Sequence, residues 1–166
     1  MRIGVVSDTH GQMRYTQNAV RMLESLDVGL VLHCGDIGSA DVVELFAPWP
    51  THFVFGNVDD PTSLRAAIHA AGQTCHERFG RLELAGRRVA FLHGDDARLL
   101  EETIADGTWD LVCHGHTHVT RQLRRGDTLV LNPGAVYRAH PHSVAVVELP
   151  QLEAVVVEVT SASADR

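Results

Sequence analysis

The segment Ile3-Gly4-Val5-Val6-Ser7-Asp8-Thr9-His10 decides how the chain is read. Its apolar half is too short for a helix and reads as a strand buried on both faces. That strand runs directly into Asp8-Thr9-His10. The same event recurs downstream. A second short run, 30–32, leads into His33-Cys34-Gly35-Asp36, and a third, 53–55, into Gly56-Asn57. A run at 89–92 ends in His93-Gly94-Asp95, and one at 111–113 in His114-Gly115-His116-Thr117-His118. Ligands of α/β sheets bind beyond the carboxyl ends of strands, so these five ends are expected to converge on one cleft.

Helical patterns separate the early strands. Tyr15, Ala19, Val20, Leu23 and Leu26 recur at helical spacing, a second helix at 40–47 is closed by Pro48 and Pro50, and a third covers 62–71. Strand-helix alternation favours a parallel sheet with right-handed crossovers. The second half is richer in strands. Runs at 82–84 and 89–92 flank the hairpin signal Ala85-Gly86-Arg87, and a helix at 98–104 precedes the 111–113 strand. Four more runs follow, at 119–123, 128–131, 144–149 and 154–159, with turns at Arg125-Gly126-Asp127 and Leu149-Pro150. These four are expected to be antiparallel. One core of two packed sheets with outer helices fits the pattern, giving a single domain over 1–160 and a disordered tail at 161–166.

The 166 residues carry a net charge of −7, and all 14 basic residues are arginine. The acidic balance argues against sequence-blind nucleic-acid binding, which needs a basic face to displace counterions. The absence of lysine excludes a Walker-type phosphate loop, a Schiff-base lysine and a pyridoxal enzyme. Cys34, Cys75 and Cys113 are odd in number and irregularly spaced, so they do not form a disulfide framework. No apolar run approaches the roughly 18–20 residues of a membrane span, and Asp8 interrupts the start too early for a signal-peptide core. A reduced, cytoplasmic setting is the expectation.

A cleft holding four His, two Asp and one Asn from these strand ends needs something to bridge its imidazoles and carboxylates, and metal ions are the simplest answer. The donors suit borderline cations: manganese as the first expectation, with iron, nickel, cobalt or zinc as alternatives. They are too many for one tetrahedral ion and enough for two ions sharing a carboxylate. Two dications against two carboxylates and one hydroxide leave a net positive centre, which attracts an anion and steadies in-line displacement at phosphorus. Phosphoester hydrolysis follows as the best chemistry, with dinuclear amide hydrolysis as its chemical competitor. His116-Thr117-His118 continues as Val119-Thr120, so the His-x-His-x-Asp-His run of the metallo-β-lactamase fold is absent.

Asp8-Thr9-His10, Gly35-Asp36, Gly56-Asn57, His93-Gly94 and Gly115-His116-Thr117-His118, in that order, resemble the calcineurin-like metallophosphoesterase superfamily. The shortness of the chain and Asn132-Pro133-Gly134 resemble its small prokaryotic phosphodiesterase branch. The resemblance implies an α/β four-layer sandwich, two mixed β-sheets face to face with helices outside. It implies that Asp8, His10 and His118 hold one metal, Asn57, His93 and His116 the other, and that Asp36 bridges them. Asp36, Asn57, His93 and His116 would carry the catalysis, with a metal-bound hydroxide as nucleophile. Where many members of the superfamily have a histidine that protonates the leaving group, this chain has Val58. Weak activity on alkyl monoesters and a preference for diesters with acidic leaving groups follow.

Neighbouring residues carry plainer readings beside functional ones. Asp59 orients Asn57 or serves the turn before Pro61, and Asn132 shapes the wall of the cleft. His33 and His114 support ligands or pack in the core, and Cys34 and Cys113 fill the sheet. Arg138, His140 and His142 are placed to help bind phosphate or lie on a solvated loop. Phe46 and Trp49 serve either the core or a homo-oligomer. A protein-interaction scaffold of the same fold, with vestigial catalysis, is the alternative to a small-phosphoester hydrolase. A DNA-processing nuclease is disfavoured by size and charge.

Overall fold

The computed structural model describes residues 1–160; the tail expected at 161–166 lies outside them. The elements are β1 (Arg2–Val6), α1 (Met13–Ser25), β2 (Leu30–His33), α2 (Ala40–Leu45), β3 (Thr51–Phe53), α3 (Pro61–Ala70), β4 (Thr74–Cys75), β5 (Phe79–Leu84), β6 (Arg87–Leu92), α4 (Ala97–Ala105), β7 (Leu111–Cys113), β8 (Arg121–Arg125), β9 (Thr128–Asn132), β10 (Ser143–Glu148) and β11 (Glu153–Glu158). They form a six-stranded sheet, β11-β10-β1-β2-β3-β4, and a five-stranded sheet, β5-β6-β7-β9-β8.

Alternation along the buried strands builds the layers. Ile3, Val5, Leu30 and Leu32 of the first sheet meet Val89, Phe91, Leu111, Cys113, Leu129 and Leu131 of the second in an apolar inter-sheet core. The opposite face of the first sheet, through Val6, Val31 and Phe53, packs on Ala19, Leu23, Val42, Val43, Leu64 and Ile68 of α1, α2 and α3. The outer face of the second sheet, Ala90, Leu92, Val112 and Val130, packs on Leu100 and Ile104 of α4. Four layers result. Gly4 lets α1 lie close, since a Cβ there would stand 3.0 Å from a Leu23 methyl. Asp60 caps α3 through the Thr62 and Ser63 N–H groups with Pro61 in the first turn, and Asp96 caps α4 through Leu99 N–H. Among the described residues, no helix is long and apolar enough to cross a membrane.

Several boundaries differ from expectation. The third strand lies at Thr51–Phe53, two residues early. Phe55 N–H leaves the ladder for the Glu77 carbonyl, and Gln73 accepts from Thr51 N–H. β4, too short to carry a period, was not legible. The strand expected at 119–123 is Arg121–Arg125, with Val119 65% exposed. Of the last four strands, β9 pairs with β8 antiparallel but with β7 parallel, so the carboxyl ends of β6, β7 and β9 share one edge. Phe46 and Trp49 are buried on the helical side of the first sheet, which makes them core residues.

Candidate metal centre

The parallel strands β1 and β2 deliver Asp8, His10 and Asp36, and the loop after β3 delivers Asn57. The second sheet delivers His93 after β6 and His116 and His118 after β7. Five of these seven have backbones in the left-handed region: Asp8 (φ 59°), His10 (48°), Asp36 (54°), His116 (69°) and His118 (58°). Non-glycine residues in that region cost about 1–3 kcal/mol each and persist where surrounding structure dictates them. Glycines make the close approach: a Cβ on Gly56 would fall 1.9 Å from Asp36 Oδ1, and one on Gly115 1.7 Å from Ser7 Oγ.

Two overlapping groups of donors result: Asp8, His10 and His118, and Asp8, Asp36 and His93. Asp8 Oδ1 lies 3.1 Å from His118 Nε2 and 3.7 Å from His10 Nε2. Asp36 reaches both ways, with Oδ2 3.6 Å from His10 Nε2 and Oδ1 3.3 Å from His93 Nε2. Asn57 Oδ1 is 3.1 Å from His93 Nε2, and the His116 ring centre lies 5.1 Å from that of His93. Asn57 and His116 are the exposed members. The cleft thus brings together all seven residues singled out in the sequence.

Tautomers set its chemistry. His93 Nδ1–H donates to the Cys34 carbonyl at 2.8 Å, and His118 Nδ1–H to the Arg138 carbonyl at 3.3 Å. Each ring in its neutral form therefore turns the Nε2 lone pair inward, towards oxygens that are themselves acceptors. Asp8 is fully buried, and its Oδ1 has no hydrogen-bond partner among the described residues. Lone pairs facing one another across 3.1–3.3 Å call for a cation between them. This donor set fits divalent metal.

The titration of the same groups carries that demand. Burial raises the Asp8 carboxyl above its ordinary value, only partly offset by the Ser7 hydroxyl and the nearby imidazoles. Burial also pushes Asp36 up, but the hydrogen bond and charge of His93 outweigh it and hold Asp36 low. His93 moves up, because the two carboxylates overcome its burial, and His10 moves down, because burial wins. Without another cation, a proton on His93 meets the need.

Supporting residues fix the loops. Asp59 accepts from Gly38 N–H at 2.9 Å and Gly56 N–H at 2.8 Å, tying the loop after β2 to the loop after β3; its carboxylate holds backbone and does not bond the Asn57 side chain. Asn132 Nδ2 donates to the Gly115 carbonyl at 2.9 Å and to Thr117 Oγ1 at 3.1 Å, while its Oδ1 accepts from Gly134 N–H. His33 is buried behind the ligand loops, against Phe46 and Phe53, with its ring nitrogens on Thr9 Oγ1 and Gly35 N–H. His114 is also buried, and its pKa is lowered to about 4 by desolvation. Val58 is 56% exposed, with its N–H on Asp36 Oδ1. Sequence reasoning missed Ser7, whose hydroxyl donates to Asp8 Oδ2. Its one signal was a polar residue at the buried end of a strand.

The family model of the calcineurin-like phosphoesterase superfamily domain matches residues 1–151. The chain belongs to this superfamily. Among its relatives, phosphodiesterase MJ0936 of Methanocaldococcus jannaschii is 30% identical over 138 residues, covering 81% of this chain and 83% of the relative. A probable metallophosphoesterase of Methanothermobacter thermautotrophicus is 32% identical over 142 residues, covering 81% and 77%. A solved archaeal phosphodiesterase superposes with a TM-score of 0.88 at 26% identity, over 95% of this chain and 99% of its own. Vps29 of Entamoeba histolytica shares the fold, with a TM-score of 0.66 at 16% identity over 96% and 100%.

Proposed function

We propose that the protein is a metal-dependent phosphodiesterase acting on small phosphodiesters with two divalent ions in the cleft, manganese first among the candidates. The observation that carries this reading is the inward-facing set of acceptors, with a buried Asp8 oxygen that no donor among the described residues satisfies. Asp8, His10 and His118 would hold one ion, and Asn57, His93 and His116 the other. Asp36, whose two oxygens face both groups, would be shared. The phosphodiesterase relative supports the diester preference. When bound, the ions supply Lewis acidity and a water of lowered pKa.

The chain's own residues do the rest. The Cys34 and Arg138 carbonyls orient His93 and His118 so that each presents Nε2. Ser7 Oγ–H and His116 N–H on Asp8 Oδ2 leave Oδ1 as the oxygen free to bind. Exposed Val58 donates no side-chain proton, so departing groups must be stable as anions, and the loss of general acid help is worth about 10²–10⁴-fold on alkyl leaving groups.

The test is metal content together with hydrolysis of bis(nitrophenyl) phosphate. Protein prepared with manganese and without chelator is expected to retain about two ions per chain. Asp36→Ala is expected to abolish turnover while retaining native circular dichroism. Full activity in Asp36→Ala refutes the reading, and metal binding with no turnover of any phosphoester favours an interaction scaffold.

A further inference from the structure

Tyr137 and Arg138 follow β9 on a loop tied to the metal-binding segments at two points. Tyr137 N–H donates to the Asp8 carbonyl at 3.1 Å, and the Arg138 carbonyl accepts from His118 Nδ1. Both side chains are therefore held in register with the cleft, although neither offers a ligand atom to it. The Tyr137 ring stands 6.3 Å from that of His10 and 5.4 Å from that of Tyr15 on α1. Tyr15 in turn stacks on His142 at 4.8 Å, with the rings inclined by 29°. These rings form a continuous wall leading away from the donors. Beyond it opens a cavity of about 370 Å³, lined by Arg14, Tyr15, Asn18, Pro141, His142 and Val159. That volume is within the range of small-ligand sites, roughly 300–1,000 Å³.

Charge adds to shape. The Arg138 guanidinium lies over the Tyr137 ring, 5.7 Å from its centre. Arg14 and Arg138 make no ion pair among the described residues, which leaves both guanidinium charges uncompensated in a chain of net charge −7. Two unpaired cations, two tyrosines and an imidazole beside a phosphate-attracting centre match a ligand that is anionic at one end and planar at the other. His142 donates Nδ1–H to the Val136 carbonyl, which leaves its Nε2 as an acceptor beside the cavity, suited to an amino or hydroxyl group.

Building on the phosphodiesterase reading, we propose that this wall and cavity form a subsite for a nucleoside, so that the preferred diesters carry a nucleoside as one ester group. Tyr137 and Tyr15 stack the base, and Arg138 contacts a phosphate oxygen. Stacking against an aromatic side chain tolerates every base, so the subsite selects nucleosides as a class.

Two diesters with the same leaving group test this: the para-nitrophenyl ester of thymidine monophosphate and ethyl para-nitrophenyl phosphate. Manganese-loaded full-length protein is expected to favour the nucleotidyl ester in kcat/KM by about tenfold or more, carried in KM. Tyr137→Leu, and independently Tyr15→Leu at its 37% exposed position, should bring that ratio towards one. Arg138→Gln should raise KM for both esters, since both present the phosphate. An equal preference in the unmodified protein, or a ratio unmoved by both tyrosine variants, overturns the proposal. Calorimetric titration of the loaded protein with thymidine monophosphate and with inorganic phosphate decides it separately. The nucleotide should bind about tenfold more tightly, and Tyr137→Leu should erase the difference. Equal affinities overturn the subsite. Hydrolysis of neither ester overturns the diesterase reading, while the titration still judges the subsite.

Discussion

His33 offers a clean test of how the interior responds to acid. It is fully buried on β2, between Phe46 and Phe53, and its hydrogen bonds dictate one neutral form. Gly35 N–H points at Nδ1 at 3.3 Å, so Nδ1 accepts. Thr9 Oγ1 lies 3.0 Å from Nε2 and spends its own proton on the Ile37 carbonyl at 3.0 Å, so Nε2 donates. A second proton on this ring would meet the Gly35 N–H head-on. Burial, reinforced by the nearby His93, lowers the His33 pKa from 6.5 to about 3. Because the folded value lies below the unfolded one, the stabilisation is fully present above about pH 6.5 and is lost as the pH falls through about 3. The whole span is worth about 5 kcal/mol, of which about 2 kcal/mol is gone by about pH 5. Urea denaturation of chelator-treated protein at about pH 7.5 and about pH 5 reads this directly. His33→Gln keeps an acceptor and a donor but does not titrate. It should be less stable at the higher pH, where ring packing is lost, and should lose about 2 kcal/mol less than the unmodified protein between the two conditions. Parallel losses in both proteins would refute the assignment of a neutral, desolvated His33.

Three further outcomes follow from the loops. Gly115→Ala would drive a methyl into Ser7 Oγ and to 2.8 Å from Asp8 Oδ2, so metal content should fall severalfold in elemental analysis and turnover should fall with it. Asp59→Ala leaves the Gly38 and Gly56 N–H groups without their partner, and thermal denaturation should show a loss of about 2–3 kcal/mol, with Asp59→Asn recovering part of it. Val58→His restores an imidazole at the exposed position above Asp36, and the rate gap between nitrophenyl and alkyl diesters should narrow by about tenfold or more.

The ligand-bearing strand ends were legible because each joins a short apolar run to a carboxylate, imidazole or carboxamide, a local signal that survives without tertiary context. Layering was legible for the same reason: residues 3–6 and 111–113 are apolar on both faces, and the structure covers both faces. What escaped depends on contacts distant along the chain. The β3 register is set by Gln73 and Glu77 from beyond α3, and β4 exists because β3 is there to pair with it. The parallel pairing of β9 with β7 reflects a hairpin that places β8, not β9, on the sheet edge. Asp59 reads as a turn residue, and only the folded chain brings Gly38 beside it. The Tyr15–Tyr137 wall joins the start of α1 to the loop after β9, and no periodicity announces such a meeting.

The cleft draws Asp8, His10, Asp36 and Asn57 from one sheet and His93, His116 and His118 from the other, so it straddles the seam along which the two sheets could slide or part. An ion seated there would act as a rivet through both plates. Its binding energy would be drawn on whenever the plates separate, which ties melting temperature to free metal concentration. Loading and opening would then oppose each other, and the apo form would be expected to breathe first along that joint.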